Sequence, residues 1–126
     1  MMEEYILDSN ILIYYTKRDP KVISLLKGLR REYFFISVIT RIEVLMGAKT
    51  DQETKGLDQI LRTFAPLDLG TKIALEAVRL EQKHHKKLKF KDLLIAATAM
   101  VEGLTLVTAD KDFKKIPDLE LKLVRL

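Results

Sequence analysis

The sequence predicts an α/β protein, with a central, mostly parallel sheet covered by helices on both faces. Short apolar runs suited to strands alternate along the chain with segments of helical period, which is the order that builds a parallel sheet. One helical segment, LLIAATAMVEG, is apolar on nearly every side, as a helix packed inside a protein must be. With 126 residues, 48% of them hydrophobic, and no long polar tract, the chain has material for one core and so reads as a single domain, residues 1–126.

Residues 4–8 read as the first strand, followed by a short helix from about Ser9 to Thr16. Asp19-Pro20 starts a second helix, with Val22, Ile23, Leu25, Leu26 and Leu29 at helical spacing. Tyr33 to Ile36 is an aromatic and branched run suited to a buried strand, and Ser37 can cap the helix SVITRIEVLMGAK, which ends near Gly47. Residues 51–63 suggest a helix with Leu57, Ile60 and Leu61 on one face, and FAPLDL, carrying Pro66, a short strand or edge segment. From Gly70 to about Lys87 the spacing of Ile73, Ala74, Ala77, Val78 and Leu80 favours a long helix. Asp92 opens the buried helix and Gly103 closes it. LTLVT is a strand, ADKDF turns away from it, and LKLVRL alternates like a last strand.

The chain has no stretch of about 18 apolar residues, and its start, MMEEY, is acidic where a secretory signal is basic. A soluble, cytoplasmic protein with no membrane partner is expected. Cysteine is absent, which excludes disulfides, thiolate metal sites and a cysteine nucleophile. The net charge of +4 comes from 22 Lys and Arg against 18 Asp and Glu. It is local: KHHKKLKFK, residues 83–91, holds five lysines and no acid, and the remainder carries about one net negative charge. Such a run suits a surface that meets phosphate, or a helix end complementing its dipole. His84 and His85 project about 100° apart if helical, so they are read as solvent-exposed or phosphate-adjacent rather than as chelators.

Four acids stand apart because each interrupts or ends an apolar segment. Asp8 follows YIL, Glu43 sits inside ITRIEVLMG, Asp92 precedes LLIAATAM, and Asp110 follows LTLVTA. Singly, Asp8 and Asp92 could be helix caps, Glu43 a solvated helix residue, and Asp110 and Asp112 turn residues. Together they can reach one sheet edge, and ligands gather at the carboxyl ends of parallel strands. Converging carboxylates repel and raise one another's pKa unless a cation is present. Oxygen-only ligation suits Mg²⁺ or Mn²⁺, and such sites perform phosphoryl or phosphodiester chemistry.

YILDSNILIYY, SVITRIEVLMG, KDLLIAATAM and LTLVTADKDF, in order between residues 5 and 113, resemble the four signature segments of the PIN domain, and specifically of VapC-type toxins of prokaryotic toxin–antitoxin pairs. The resemblance implies a three-layer α/β/α sandwich and a metal-dependent endoribonuclease that leaves 5′-phosphate and 3′-hydroxyl ends. It also implies a homodimer blocked by a VapB-like antitoxin. Carried over, Asp8, Glu43, Asp92 and Asp110 form the acidic quartet around Mg²⁺ or Mn²⁺. Asn10 and Thr108 match polar positions beside it, and Ser37 and Thr40 polar positions leading to Glu43. Asp112 could be a ligand, a supporting acceptor or a helix cap, with Asp110 preferred as primary.

Asp8, at a strand end, is the most rigidly placed acid and is assigned to the metal, with Asp92 and Asp110 joining directly or through water. Glu43 is assigned to orienting or deprotonating the attacking water. Asn10 can donate its amide to a carboxylate or phosphate, and Lys87, Lys89 and Lys91 are candidates for RNA backbone contacts. Some apolar residues between Ile11 and Leu29, and near Leu45 and Met46, could serve an antitoxin groove or a dimer face. Two alternatives remain: a PIN-fold RNA-binding, regulatory or housekeeping RNA-processing protein with weak catalysis, and a haloacid-dehalogenase-like phosphatase. The latter looks for a second Asp where this chain has Asn10.

Overall fold

The computed structural model describes residues 3–29 and 34–126. The strands are β1 (Tyr5–Leu7), β2 (Phe35–Ser37), β3 (Ala65–Leu67), β4 (Thr105–Thr108) and β5 (Leu121–Leu123). The helices are α1 (Ser9–Thr16), α2 (Pro20–Leu29), α3 (Val38–Met46), α4 (Asp51–Leu61), α5 (Thr71–His84) and α6 (Phe90–Glu102), and a 3-10 segment covers Lys111–Lys115. Tyr33, expected to begin β2, lies outside the described residues.

The five strands form one sheet in the order β3-β2-β1-β4-β5, and every pairing is parallel. Period-two alternation divides the strands between two cores. Ile6 and Leu106 pack with α5, α6 and the 3-10 segment, whereas Tyr5, Leu7 and Val107 pack with α1, α2, α3 and α4. Ile6, Leu7, Leu106 and Val107 are fully buried, each burial being worth about 1.5–3 kcal/mol. Helices therefore cover both faces, as expected for an α/β sandwich.

Local chemistry sets the boundaries. The Asp19 carboxylate accepts from the backbone N–H of Lys21 and Val22 at the start of α2, and the Ser37 hydroxyl accepts from Ile39 at the start of α3. Gly103 adopts the left-handed conformation after α6, φ 67°, a geometry glycine takes without strain. Pro66 lies in edge strand β3, where its missing N–H costs no interior ladder bond.

Three expectations are corrected. α5 stops at His84 rather than about Lys87, because His85 and Lys86 turn the chain at φ 42° and 56°. α6 starts at Phe90, with Lys89 as its cap and Asp92 inside its first turn, so Asp92 does not cap it. The lysine run is consequently not a helix end: it spans the end of α5, a turn and the start of α6. In addition, His84 is half-buried with an enclosed, unpartnered Nε2, whereas His85 is exposed.

Candidate active site

The chain runs outward from β1 to β2 to β3, then crosses back to β4 and β5. The topological switch point therefore lies between β1 and β4, where open α/β sheets bind ligands beyond the strand ends. β1 and β4 are in register from Tyr5 opposite Thr105 to Leu7 opposite Val107, and the Asp8 N–H donates to the Val107 carbonyl at 3.0 Å. Asp8 thus emerges beside Thr108.

A polar network fixes this junction. The Thr108 hydroxyl donates to Asp8 Oδ2 at 2.6 Å. Asn10 Nδ2 donates to Asp8 Oδ2 at 3.1 Å and to Thr108 Oγ1 at 3.3 Å. Asn10 Oδ1 accepts from the Ala109 N–H at 3.1 Å, and Thr108 Oγ1 accepts from the Asp110 N–H at 3.0 Å. Asp8 also caps α1, its Oδ1 accepting from Ser9 at 2.9 Å. The cap and ligand readings of Asp8 coexist.

The four acids meet electrostatically. Asp8 is almost fully buried, and its pKa is raised, first by burial and further by Glu43 and Asp110, against the lowering effect of its hydrogen bonds from Thr108 and Ser9. Asp92 is pushed up to about 6, by burial first and then by Asp8 and Asp110, with Glu43 adding to the effect. Lys91 opposes part of this and pairs with Glu43 at 2.5 Å. Glu43 is therefore not simply a solvated helix residue.

The supporting residues divide. Thr40 is fully buried with no hydrogen-bond partner for its hydroxyl, and Ser37 is equally buried, in its capping bond. The Asp112 side chain pairs with Lys115 at 3.3 Å, while its N–H donates to Asp110 Oδ1 at 2.9 Å. Lys87 and Lys89 are exposed. Ile13, Tyr14, Ile42 and Met46 leave apolar surface exposed. The Glu43–Lys91 pair and the Asn10–Ala109 bond were not foreseen, because each joins elements whose approach only the folded chain reveals.

Among the described residues no group of three His, Asp or Glu side chains is gathered closely enough to hold a metal ion as it stands. The donor set nonetheless suits a hard cation, since all its ligands would be oxygens and the pKa values of Asp8 and Asp92 are raised by burial first and by the neighbouring carboxylates after it, both of which a bound cation would offset.

The sequence matches the PIN domain family over residues 5–119. The chain belongs to the PIN domain family. This PIN domain is 32% identical to Ribonuclease VapC2 of Rickettsia felis, over 94% of this chain and 96% of that one. It superposes on the crystal structure of VapBC2 from Rickettsia felis bound to a promoter DNA fragment with a TM-score of 0.84 and 29% identity, covering 95% of this chain and 98% of that chain. For a toxin–antitoxin complex from Klebsiella pneumoniae the TM-score is 0.82 and the identity 32%, over 94% and 96% of the two chains. Membership in the PIN family removes the phosphatase alternative.

Proposed function

We propose that this PIN domain is a metal-dependent endoribonuclease that hydrolyses RNA phosphodiester bonds by water attack on phosphorus, and that it is the toxin of a VapBC-type pair. One observation carries the reading: Asp8, Glu43, Asp92 and Asp110 are electrostatically coupled at the switch point of a PIN sheet. Asp8, Asp92 and Asp110 would hold Mg²⁺ or Mn²⁺. The bound ion supplies phosphate polarisation, a more acidic water and stabilisation of the leaving oxygen. Asp8 is held still by Thr108, Asn10 and Ser9, so the carboxylate that fixes the site has little conformational freedom to lose when it binds. Glu43 orients the attacking water and accepts its proton. Lys91, beside Glu43, and Lys87 and Lys89 face RNA phosphates. Asn10, Ser37, Thr40, Thr108 and Asp112 support the site. A VapB-like antitoxin, a homodimer and a cytoplasmic location complete the proposal; among the described residues no helix is long and apolar enough to cross a membrane.

The test compares cleavage of single-stranded RNA by the wild type and by Asp8→Asn, with Mg²⁺ and with EDTA. Loss of cleavage in both the variant and the chelated enzyme is expected. Cleavage insensitive to either change would overturn the mechanism.

A further inference from the structure

A concave surface carrying exposed cations lies beside the acids. Beyond the carboxyl ends of β4 and β5 a cleft of about 510 Å³ is lined by Ala109, Lys111, Lys114, Val124 and Arg125 among others. Its walls are tied to the site by two hydrogen bonds: the Val124 N–H donates to the Thr108 carbonyl at 2.7 Å, and the Ala109 N–H to the side-chain Oδ1 of Asn10 at 3.1 Å. Lys111, Lys114 and Arg125 are exposed. Among the described residues none of the three has an ion-pair partner; the nearby Asp112 is already engaged by Lys115. Three cations that bring no counter-ion of their own, in a concave surface next to an acidic centre, are suited to a polyanion.

The sheet order gives the cleft a direction. β5 flanks β4 on one side of the switch point, whereas Glu43 and its partner Lys91 belong to α3, which follows β2 on the other side, and to α6. We infer that Lys111, Lys114 and Arg125 form a binding cleft for the RNA backbone flanking the scissile phosphate, so that the strand enters over β5, crosses the acids and leaves past Lys91. The inference rests on the ribonuclease reading and adds a substrate subsite outside the lysine run of residues 83–91. Lysine and arginine contacts to phosphate carry no base preference, so the subsite sets affinity and register rather than cleavage sequence.

The test uses the full chain and a fluorescein-labelled 12-nucleotide single-stranded RNA of mixed sequence. Binding is measured against KCl concentration in the Asp8→Asn background, with and without the triple change Lys111→Ala, Lys114→Ala and Arg125→Ala. Each phosphate contact on a single strand contributes about 0.7 to the slope of log K against log salt. The triple change should flatten that slope by about 2 and weaken binding about 100-fold at 0.1 M salt if affinities converge near 1 M. A control pair on other helices, Lys27→Ala and Lys55→Ala, should leave the slope unchanged. An unchanged slope in the triple variant overturns the cleft while leaving the nuclease reading intact. Equal losses for a 12-base-pair DNA duplex overturn its assignment to single-stranded RNA. If the wild type neither binds nor cleaves the RNA, both readings fall together. Because the three side chains are exposed, the melting temperature should move by no more than about 2 °C per substitution.

Discussion

Asp92→Asn should make the metal-free protein more stable while abolishing its activity. The carboxyl of Asp92 titrates near 6 instead of 3.8, through burial and the charges of Asp8, Asp110 and Glu43. Its folded-state pKa is raised, so between about 4 and 6 the folded chain holds a proton that the unfolded chain has released. Stability is therefore fully present below about 4 and is lost as the pH rises through about 6. The shift corresponds to an upper limit of roughly 3 kcal/mol; screening at the mouth of the site reduces this to about 1–2 kcal/mol. Asparagine keeps the shape and removes the charge. In a domain of this size 1 kcal/mol moves the melting temperature by roughly 4 °C, so Asp92→Asn should melt about 4–8 °C higher at pH 7.5 in EDTA. At pH 4.5, where Asp92 is protonated in the folded wild type but still mostly ionised in the unfolded chain, the gain should fall to roughly a third of its value at pH 7.5. Millimolar Mg²⁺ should raise the melting temperature of the wild type and not that of the variant. Differential scanning calorimetry at the two pH values measures all three effects. A variant no more stable than the wild type at pH 7.5, or a gain independent of pH, would refute the assignment of Asp92 to a repulsive acidic centre.

Two further substitutions probe the network around Asp8 and the pair formed by Glu43. Thr108→Val keeps the shape of a fully buried side chain but deletes the donor to Asp8 and the acceptor for Asn10 and Asp110. It should cost about 1–3 kcal/mol, seen as a lower urea midpoint at unchanged m-value. Lys91→Met frees Glu43 and removes a cation that repels an incoming divalent ion by about 1 kcal/mol at a separation on the order of 7 Å in water. Mn²⁺ binding followed by electron paramagnetic resonance without RNA should tighten about fivefold, and weaker binding would instead make Lys91 a support that holds Glu43 in place.

The parts of this fold that were legible in the sequence are those whose signals are local. Asp19-Pro20, Ser37 and Gly103 mark helix ends through their own side chains or conformational freedom, and the apolar runs gave the strands and the alternation that makes the sheet parallel. The end of α5 was not legible, because His85 and Lys86 adopt positive φ without a glycine to announce it. The start of α6 was misplaced because Lys89 caps it without a side-chain hydrogen bond, whereas Asp92 has the chemistry of a cap and sits in the first turn. Asp8, Glu43, Asp92 and Asp110 were visible as carboxylates set into apolar segments. The pairing of Lys91 with Glu43 and the cationic cleft over β5 were not, since both depend on which strands lie side by side.

The bond between Thr108 and Asp8 joins residues 100 positions apart, and β4 fills the place between β1 and β5. During synthesis at about 5–20 residues per second, Thr108 follows Asp8 by roughly 5–20 s. Throughout that interval the nascent chain has β1 with one edge open and only part of the acidic centre. A ribosome making this protein therefore carries an incomplete nuclease until β4 has been synthesised. The same interval exposes an apolar strand edge, a stage at which chaperones have more to hold than RNA has to fear.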